Sequence, residues 1–419
     1  MDNANGPLSG VTVVSLEQAV SAPLCTRTLA DLGARVVKVE NPDGGDFARH
    51  YDRVVNGMAA HFIWLNRSKQ SVALDLKSDA GRQILRRLLR QADAFVTNLA
   101  PGATSRLGLD PATLAAEFPQ LVSCEISGYG QGGPLSGKRA YDLLAQAESG
   151  ACSITGWPDA PAKPGPPMAD SCTGLYAAIS ILAALQERHR TGQGASIAVS
   201  LFDAMVELMG YPLTWSRYSG ADQIPVGLGS PAVAPYGAYP TSDGHTVVLG
   251  TTNDNEWKRL ANELLKRPDL ATADRYRRGS DRVTYRAELD RAIAAWCAEH
   301  TLADIQAAAD AAGIGNARYN TTTDVVAHPH LTARNRWREV DSPVGPVTTV
   351  LPPPIIAGSE PVLGPIPDLG EHTEQVLGAL GLDESEIRAL RAAGAFGRPA
   401  ADDRSEVDRD PREGVRHGS

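Results

Sequence analysis

The sequence predicts an α/β protein with a largely parallel β-sheet. Over roughly the first 200 residues, short apolar runs rich in valine alternate with longer segments of helical pattern. Strands that recur with helices between them indicate βαβ units, whose connections place neighbouring strands in parallel. After residue 216 the composition shifts to a stretch rich in glycine and proline, and an alanine-rich region follows. This shift indicates a second, distinct unit.

The strands of the first unit are predicted where β-branched and other apolar residues occur together. They cover residues 11–15, 34–40, 71–75, 94–98, 121–126 and 196–200. A helix over residues 23–32 is expected to end at Gly33, because glycine readily adopts the left-handed conformation that closes helices. Ser78 is expected to open a helix that runs to about residue 90, since serine is a favoured N-cap. Another helix follows the last strand through Met209.

The second unit is predicted over residues 244–325, after a loop or linker over 217–240. It contains one strand and three helices. The strand covers residues 246–249, and the helices cover 256–265, 285–299 and 302–312. Residues 341–366 are rich in proline and predicted to be irregular, and residues 383–393 form a last amphipathic helix. The polar, charged segment from Arg398 is predicted to be disordered.

Composition and charge exclude several classes of protein. The 419 residues carry a net charge of −9, and no run of lysine or arginine offsets it, so no nucleic-acid surface is expected. The five cysteines are scattered and form no C-x-x-C pair, which argues against a zinc site or a disulfide framework and favours a reducing cytoplasm. The nine histidines do not cluster with acidic residues, so no metal site is expected. The N-terminus lacks a signal-peptide pattern, and no stretch of membrane type is expected.

Asp170 is the first candidate functional residue. It lies just before the continuous apolar run 175–185, which predicts a buried helix. The unpaired N–H groups and the positive dipole end at a helix N-terminus favour negative charge. Two interpretations follow. Either Asp170, Ser171 or Thr173 is an N-cap, or Asp170 is a nucleophile whose oxyanion intermediates the same N–H groups stabilise.

Residues 128–133 match the pattern G-x-G-x-x-G after a predicted strand. A dinucleotide site also needs a helix to begin inside the motif, and residues 134–137 do not form one at once. A flexible glycine-rich loop near a substrate is therefore the preferred interpretation. An NAD-dependent oxidoreductase is a weaker alternative that rests on this loop alone.

Five basic residues are predicted where loops meet helices or strands of the first unit. They are Lys69, Lys77, Arg106, Lys138 and Arg139. Scattered cations usually form a solvated face, but such residues also suit a polyanion such as the phosphates of a nucleotide. Both interpretations stay open on the residues alone.

Many short motifs, in order along residues 8–395, resemble those of the family III CoA-transferases (the CaiB/BaiF type). They cover residues 8–14, 30–40, 65–77, 98–102, 128–134, 141–142, 149–150, 170–174, 188–194, 234–237 and 369–373. This family includes formyl-CoA transferase, carnitine CoA-transferase and the α-methylacyl-CoA racemases. So many collinear matches are more specific than any single motif.

The resemblance implies a doubly wound, Rossmann-like large domain built from both ends of the chain, a smaller inserted α+β domain, and an interlocked homodimer. The predicted division places the N-terminal part of the CoA-binding large domain at 1–215, and a linker with an active-site loop at 216–243. The small domain is predicted at 244–335, and the return linker with the C-terminal part of the large domain at 336–397. Residues 398–419 form the disordered tail.

The resemblance also implies an enzyme that moves CoA from an acyl-CoA thioester to a carboxylic acid, with Asp170 as nucleophile. The implied intermediates are an acyl-aspartyl anhydride and an aspartyl-CoA thioester. Coenzyme A is then a substrate, and no cofactor is bound permanently. The expected partners are acyl-CoA, the acid and a second copy of the chain, with no nucleic acid or membrane, in the cytoplasm.

The resemblance further implies the residues that bind the substrates. The positions that correspond to CoA contacts are Lys77, Asn98, Arg106, Arg139, Tyr141 and Asp142. Gln18 is a candidate substrate contact in the first loop, although the glutamine of formyl-CoA transferase aligns with Val20. Gly229 is a second candidate, because segment 227–231 lies where the family has a mobile glycine-rich cover over the active site.

A racemase or epimerase of the same fold that acts on 2-methylacyl-CoA is the main alternative. The racemases use a histidine in a Gly-His-Asp segment, and the corresponding residues here are Ala140, Tyr141 and Asp142. Tyrosine, with a pKa of about 10, is a poor base for proton exchange near neutrality. A non-catalytic scaffold would not need a carboxylate at the helix mouth. The transferase is therefore preferred.

Overall fold

The computed structural model describes residues 6–397. Thirteen β-strands occur in this part of the chain. They are β1 (Thr12–Leu16), β2 (Arg35–Glu40), β3 (Lys69–Ala73), β4 (Ala94–Thr97), β5 (Val122–Ser127), β6 (Gly156–Trp157), β7 (Ala160–Pro161), β8 (Ala195–Ser200), β9 (Tyr236–Pro240), β10 (Thr246–Gly250), β11 (Gly315–Arg318), β12 (Trp337–Val340) and β13 (Val347–Val350).

Eighteen α-helices occur in the same described residues. They are α1 (Ser21–Asp31), α2 (Ala60–Asn66), α3 (Asp79–Gln91), α4 (Ala103–Arg106), α5 (Pro111–Glu117), α6 (Asp142–Glu148), α7 (Met168–Thr191), α8 (Leu201–Leu208), α9 (Gly210–Ser219), α10 (Asp254–Arg259), α11 (Pro268–Thr272), α12 (Gly279–Thr284), α13 (Arg286–Cys297), α14 (Leu302–Ala311), α15 (Thr322–Val326), α16 (Pro329–Ala333), α17 (Thr373–Ala379) and α18 (Glu384–Ala392). A π-helical turn, Leu260–Leu264, continues α10.

The described chain divides into two compact units, and the first contains residues 6–127, 174–199 and 339–397. Its sheet has the strand order β3-β2-β1-β4-β5-β8. The four pairs among β1 to β5 are parallel, which confirms the prediction of a large parallel sheet. The chain runs outward from β1 to β3 and then returns to β4 on the other side of β1. In doubly wound sheets, ligands bind beyond the carboxyl ends of the strands at such a switch point.

The main core of the first unit lies between this sheet and the helices α3 and α17. Val14 and Phe95 reach it from the strands, and Leu88 reaches it from α3. Burying each such side chain stabilises the fold by about 1.5–3 kcal/mol. The start of α3 is fixed as predicted, because Ser78 Oγ accepts the N–H of Gly81 at 3.0 Å.

The second unit contains residues 128–173 and 200–338. Its three-stranded sheet is antiparallel, in the order β11-β10-β9. Trp257, Ile293 and Ile305 pack on it from α10, α13 and α14. The prediction of a single strand over residues 244–325 was wrong, because that range also contains β11, whose sequence Gly-Asn-Ala-Arg shows no apolar alternation. Strand β9, which ends in proline, lies in the predicted loop 217–240.

Two segments predicted to be irregular contain regular structure. Helix α9 extends to Ser219 and β9 starts at Tyr236, so both ends of the predicted loop 217–240 are ordered elements. Within 341–366, β13 forms a two-stranded sheet with β12, which the density of prolines hid. The predicted tail from Arg398 lies outside the described residues. The predicted domain bounds stay a prediction, and they place residues 128–173 with the first unit rather than the second.

Helix α7 carries the apolar run, and it is only partly buried. Its buried positions include a row spaced by four residues, namely Ala169, Thr173, Ala177, Ile181 and Leu185. Such spacing turns one face of the helix toward the protein. Leu175, Tyr176 and Ile179 are instead 48%, 38% and 61% exposed. The prediction of a buried helix is therefore wrong for this part of its surface.

Helix α7 is also the one helix in residues 6–397 that is long and apolar enough to cross a membrane by length and composition. Core helices of soluble proteins pass the same test, and 39% of its most apolar stretch is buried. A single helix of this kind is weak support for a membrane span.

Candidate active site

Asp170 is the third residue of α7, because the helix begins at Met168. The Ser171 N–H already donates to the Pro167 carbonyl oxygen at 2.9 Å, so helical hydrogen bonding starts one residue before the helix. Asp170, Ser171 and Thr173 therefore lie inside the helix. The interpretation of any of them as the N-cap was wrong.

Asp142, on α6, supplies the cap that α7 lacks locally. Its Oδ1 accepts the N–H of Ala169 at 2.9 Å and that of Asp170 at 3.4 Å. Its Oδ2 accepts the Gln146 side-chain amide at 2.6 Å. A carboxylate at a helix N-terminus satisfies unpaired N–H groups and meets the positive end of the dipole. The backbone at Asp170 is thus fixed by a residue 28 positions earlier in the chain.

These contacts correct the expectation that the helix N–H groups meet an oxyanion. The N–H groups of Ala169 and Asp170 are directed at the Asp142 carboxylate in this structure. The positive end of the dipole acts on nearby charge whether or not its N–H groups are bonded.

Gly174 lets α7 approach α1 closely. A Cβ at this position would lie 2.5 Å from the Ser21 carbonyl oxygen and 3.2 Å from Leu24 Cβ. No side chain fits such a distance, so the glycine that follows Thr173 in the motif is required by packing. Within the first unit, this contact sets α7 against the first turn of α1, which directly follows the turn at Gln18.

The glycine-rich loop 128–133 does not open a helix, since the next helix, α6, starts at Asp142. Gly128 is needed because a Cβ there would lie 2.4 Å from the Ala140 Cβ. Its carbonyl oxygen accepts the N–H of Phe202 at the start of α8. Gly128 therefore brings the beginning of the loop against Ala140, next to Tyr141, rather than around a pyrophosphate at a helix N-terminus.

Tyr141 and Arg139 flank this position with exposed side chains. Tyr141 is 60% exposed, directly before α6. The side chains of both residues lack a hydrogen bond or ion pair to any other residue in 6–397. Lys138, by contrast, lies over the Tyr129 ring and 3.5 Å from Glu148.

The segment around Gly229 is held at both ends: the Gly227 N–H donates to the Gly156 carbonyl oxygen at 2.7 Å, and an arginine holds the other end. The Arg286 guanidinium donates to the carbonyl oxygens of Ser230 and Val233, the latter at 2.6 Å. Gly227 has a φ of +61°, and a Cβ there would lie 2.2 Å from the Trp157 ring. The predicted cover segment is therefore attached to its own unit at both ends.

Gln18 and Asn98 are brought together in the first unit. They follow β1 and β4, the two strands that flank the switch point. The Gln18 N–H donates to Asn98 Oδ1 at 2.9 Å, and Asn98 Nδ2 donates to the Gln18 carbonyl oxygen at 2.8 Å. The side-chain amide of Asn98 is thus hydrogen-bonded to the turn at Gln18, and its role as a CoA contact stays a prediction.

Lys77 and Arg106 are exposed on the same edge of the first unit, after β3 and β4. The side chain of each lacks a carboxylate partner in residues 6–397. Cations without such partners are suited to phosphate oxygens. Both residues follow the carboxyl ends of strands, which is where doubly wound sheets bind their ligands.

The sequence missed a cluster of buried ionised groups in the first unit. Glu17, Lys38, Asp46 and Lys69 are all at most 2% exposed. Glu17 Oε1 lies 2.7 Å from Lys69 Nζ and 3.4 Å from Lys38 Nζ. The interpretation of Lys69 as a surface or phosphate-binding cation was wrong. A charged residue inside a valine run, as Lys38 is in β2, was the one available signal.

The cluster shifts the proton affinity of its members. Burial, with the like charge of Lys38, lowers the pKa of Lys69 to about 8, although Glu17 opposes the shift. Burial alone would raise the pKa of Glu17, but Lys69 and Lys38 outweigh it and lower that pKa. The ionised forms of Glu17 and Lys69 are therefore stabilised by the opposite charges beside them.

Within the described part of the chain, no group of three or more histidine, cysteine or acidic side chains has the geometry to hold a metal ion.

The class of protein follows from the fold, the site and the comparisons together. The family described as CoA-transferase family III matches residues 8–373. The chain belongs to this family, which confirms the resemblance on which the predictions rest.

Relatives and a solved structure agree. The chain is 34% identical over 390 residues to a succinate–glutarate CoA-transferase of Agrobacterium fabrum, covering 91% of this chain and 97% of the relative. It is 33% identical over 393 residues to a succinyl-CoA–D-citramalate CoA-transferase of Chloroflexus aurantiacus, covering 92% and 97%. A CaiB/BaiF family protein from Brucella suis superposes with a TM-score of 0.78 at 34% identity, covering 90% of this chain and all of that one.

The protein is a CoA-transferase that acts between acyl-CoA thioesters and carboxylic acids. The racemase alternative is not favoured, since these relatives are CoA-transferases.

Proposed function

We propose that Asp170 is the nucleophile of a CoA transfer that passes through covalent aspartyl intermediates. The proposal is carried by the position of this carboxylate in the first turn of α7. Asp142, on another helix, accepts backbone N–H groups of this turn and so fixes its backbone. The positive end of a helix favours a carboxylate in its ionised form, which is the nucleophilic form.

The first half of the cycle releases the donor acid. A carboxylate oxygen of Asp170 attacks the thioester carbonyl carbon of the acyl-CoA, the C–S bond breaks, and CoA leaves as a thiolate. The thiolate then attacks the Asp170 carbonyl carbon of the resulting anhydride. The anhydride C–O bond breaks, the donor acid leaves as a carboxylate, and an aspartyl-CoA thioester remains.

The second half reverses these steps with the acceptor acid. The acceptor carboxylate attacks the aspartyl-CoA thioester, which releases the thiolate and forms a second anhydride. The thiolate attacks the acceptor carbonyl carbon, forms the new acyl-CoA and frees the Asp170 carboxylate. The balanced cycle gains and loses no proton, so it requires neither a general acid nor a general base.

Each attack creates an oxyanion, and one well-placed donor at such an atom is typically worth about 3 kcal/mol. Since Asp142 accepts the N–H groups of Ala169 and Asp170, α7 contributes mainly through its dipole field. The protein then acts chiefly by positioning the reacting groups and excluding water, because thioester and anhydride are already activated.

The names of the relatives support succinyl-CoA as a donor and dicarboxylic acids as acceptors. One relative is named for succinate and glutarate, and another for succinyl-CoA and D-citramalate. We place the CoA moiety on Lys77, Arg106 and Arg139, whose unpaired cationic side chains suit its phosphates. Asn98, Tyr141 and Asp142 line the CoA site in this proposal, and Gln18 and Gly229 contact the acid.

We also propose an interlocked homodimer. None of the ten residues of α9 is buried, and Tyr211, Leu213 and Tyr218 are 53%, 42% and 83% exposed. Large apolar patches on a soluble protein mark interaction surfaces, and two copies related by symmetry are the commonest solution. Light scattering on the purified protein tests this, and a monomer at micromolar concentration would contradict it.

A cytoplasmic location is proposed as well. Cys25, Cys124 and Cys297 are buried free thiols, as expected of a protein that folds in a reducing compartment. Cell fractionation tests the location, and recovery with membranes or in the medium would contradict it.

Hydroxylamine trapping tests the nucleophile directly. Incubation with succinyl-CoA and hydroxylamine should convert Asp170 to a hydroxamate that peptide mass spectrometry locates. Enzyme without acyl-CoA and the Asp170→Asn variant serve as blanks. A hydroxamate on another residue, or none during active turnover, would overturn the proposal.

A further inference from the structure

The turn after β1 places Gln18 and Ala19 at the carboxyl edge of the parallel sheet, beside the switch point. Ala19 has a φ of +61°, in the left-handed region that residues other than glycine seldom adopt. Such a conformation persists where the surroundings hold it, and such positions concentrate at functional sites. The contacts of this turn show what holds it.

The buried ion pair between Asp46 and Lys38 holds one side of the turn at Gln18 and Ala19. Asp46 Oδ1 accepts the N–H of Ala19 at 3.0 Å and that of Ala48 at 2.9 Å. Its Oδ2 binds Lys38 Nζ at 2.7 Å, and both side chains are fully buried. Glu17, the residue just before Gln18, lies 3.4 Å from the same ammonium group. The pair is thus coupled to the backbone of the turn at two points.

Asn98 holds the turn from the other side. It binds both the N–H and the carbonyl oxygen of Gln18, at 2.9 and 2.8 Å. Asn98 Nδ2 is also 3.2 Å from Ser21 Oγ in α1. The backbone of Gln18 is therefore fixed by a residue of the neighbouring strand connection.

The side chain of Gln18 is oriented as well. Its Oε1 accepts the N–H of Phe47 at 3.0 Å, so the amide cannot be flipped without losing this bond. The NH₂ group then points away from Phe47. Within residues 6–397 it has no hydrogen-bond acceptor, and the side chain is half-buried. A fixed donor group with no protein partner thus lies at the switch point.

We propose that the Gln18 NH₂ group binds the non-reacting carboxylate of a dicarboxylic acid substrate, and that Asp46 and Asn98 are the positioning residues that aim it. This inference rests on the CoA transfer proposed above. An amide N–H bonded to a carboxylate is a charge-assisted hydrogen bond, and it is lost when the acid carries a methyl group in place of that carboxylate. Gln18 then sets the preference for diacids over monoacids of equal length.

The preference is measured as the ratio of kcat/KM for glutarate to kcat/KM for pentanoate, with succinyl-CoA as donor. Gln18→Met keeps the length of the side chain but removes the donor, and it should lower the ratio about ten- to a hundredfold. The value for glutarate should fall further than the value for pentanoate, because only glutarate loses a charge-assisted hydrogen bond. Gln83→Met, the same change at an exposed site on α3, should leave the ratio unchanged.

The positioning role has its own readout. Asp46→Asn should lower the same ratio by a smaller factor, and adding it to Gln18→Met should cause no further loss, because both act through one donor group. Should Asp46→Asn fail to fold, Asn98→Asp takes its place in the same cycle. Losses that multiply in the double variant would overturn the positioning claim.

The outcomes separate this inference from the proposed function. An active wild-type enzyme with no diacid preference, or an unchanged ratio in Gln18→Met, overturns the inference and leaves the CoA transfer intact. A wild-type enzyme that forms no aspartyl adduct removes the proposed function and this inference together.

Discussion

Two regions of the molecule hold carboxylates in opposite ways. At the start of α7, Asp142 satisfies its oxygens with backbone N–H groups and one amide, and both Asp142 and Asp170 are half-buried. In the first unit, Glu17 and Asp46 are buried and each is paired with a lysine ammonium group, although Asp46 Oδ1 also accepts the N–H groups of Ala19 and Ala48. A half-buried carboxylate can be satisfied by backbone N–H groups and an amide, whereas a fully buried ionised carboxylate needs a cation beside it.

The largest expected difference between the two regions is at Asp170. Asp170→Asn should lower kcat by about 10⁴-fold or more, because an amide is a poor nucleophile, while the free energy of unfolding stays close to that of the wild type. The measurement pairs steady-state kinetics with urea unfolding. Asp159→Asn, in the exposed turn between β6 and β7, is the matched control. Full activity in Asp170→Asn would place the chemistry elsewhere.

The buried charges of the first unit should make the free energy of unfolding depend on pH in acid. Burial alone would raise the pKa of Glu40, but Arg49, Lys38 and Ser71 outweigh it and lower that pKa to about 2, from 4.5 in the unfolded chain. The stabilisation is therefore complete above about pH 4.5 and lost as the pH falls toward 2, and it amounts to about 3 kcal/mol.

The Glu40→Gln variant isolates this contribution. Its stability deficit relative to the wild type, from urea unfolding, should shrink between pH 5 and pH 3 by about 1–2 kcal/mol. Glu384→Gln, at the exposed start of α18, should follow the wild type at both pH values. A deficit independent of pH would show that folding does not lower the pKa of Glu40.

Asp142 sharpens the contrast, because it is a cap that acts on a reacting group. Asp142→Ala should destabilise the fold by about 1–2 kcal/mol and lower kcat by about 10²-fold, since the backbone at Asp170 is no longer fixed. Asp110→Ala removes the cap of α5, where Asp110 accepts the Thr113 N–H, and should cost similar stability without loss of kcat. Equal kcat values in the two variants would reduce Asp142 to a structural cap.

The smallest expected effects concern the unpaired cations. Arg139→Ala, Arg106→Ala and Lys77→Ala should each raise the KM for succinyl-CoA about three- to tenfold, and raise it less at high salt, because exposed charge pairs are screened. Arg90→Ala, at the exposed end of α3, is the control. A KM independent of all three residues would move the CoA phosphates away from them.

Much of the first unit could be predicted from sequence, because its strands are short valine-rich runs bounded by turn residues. Strand β3, Lys69–Ala73, was predicted two residues too late, at 71–75, because the charged side chain of Lys69 at its start is typical of a loop. The strands β9, β11 and β13 were missed because their apolar side chains do not alternate, and pairing with neighbours decides their structure.

The candidate site was predictable to a lesser degree. Asp170 stood out through its place before an apolar run, but its place inside the helix depends on Asp142, a contact between residues 28 positions apart. The sequence around Asp46 likewise gives no sign of its role, because Asp46 holds the turn through contacts with Lys38 and Ala19 that form only in the folded chain. Contacts that depend on the tertiary fold leave no periodicity to read.

Covalent bonding of Asp170 during CoA transfer can be detected by turnover with glutarate whose carboxylate oxygens are oxygen-18. Turnover with succinyl-CoA should transfer one labelled oxygen to Asp170, because the second anhydride breaks between the acceptor carbonyl carbon and the bridging oxygen. Mass spectrometry of the peptide that carries Asp170 should show this gain. Label in the released succinate with none in that peptide would mean that the two acids exchange CoA directly, without an aspartyl intermediate.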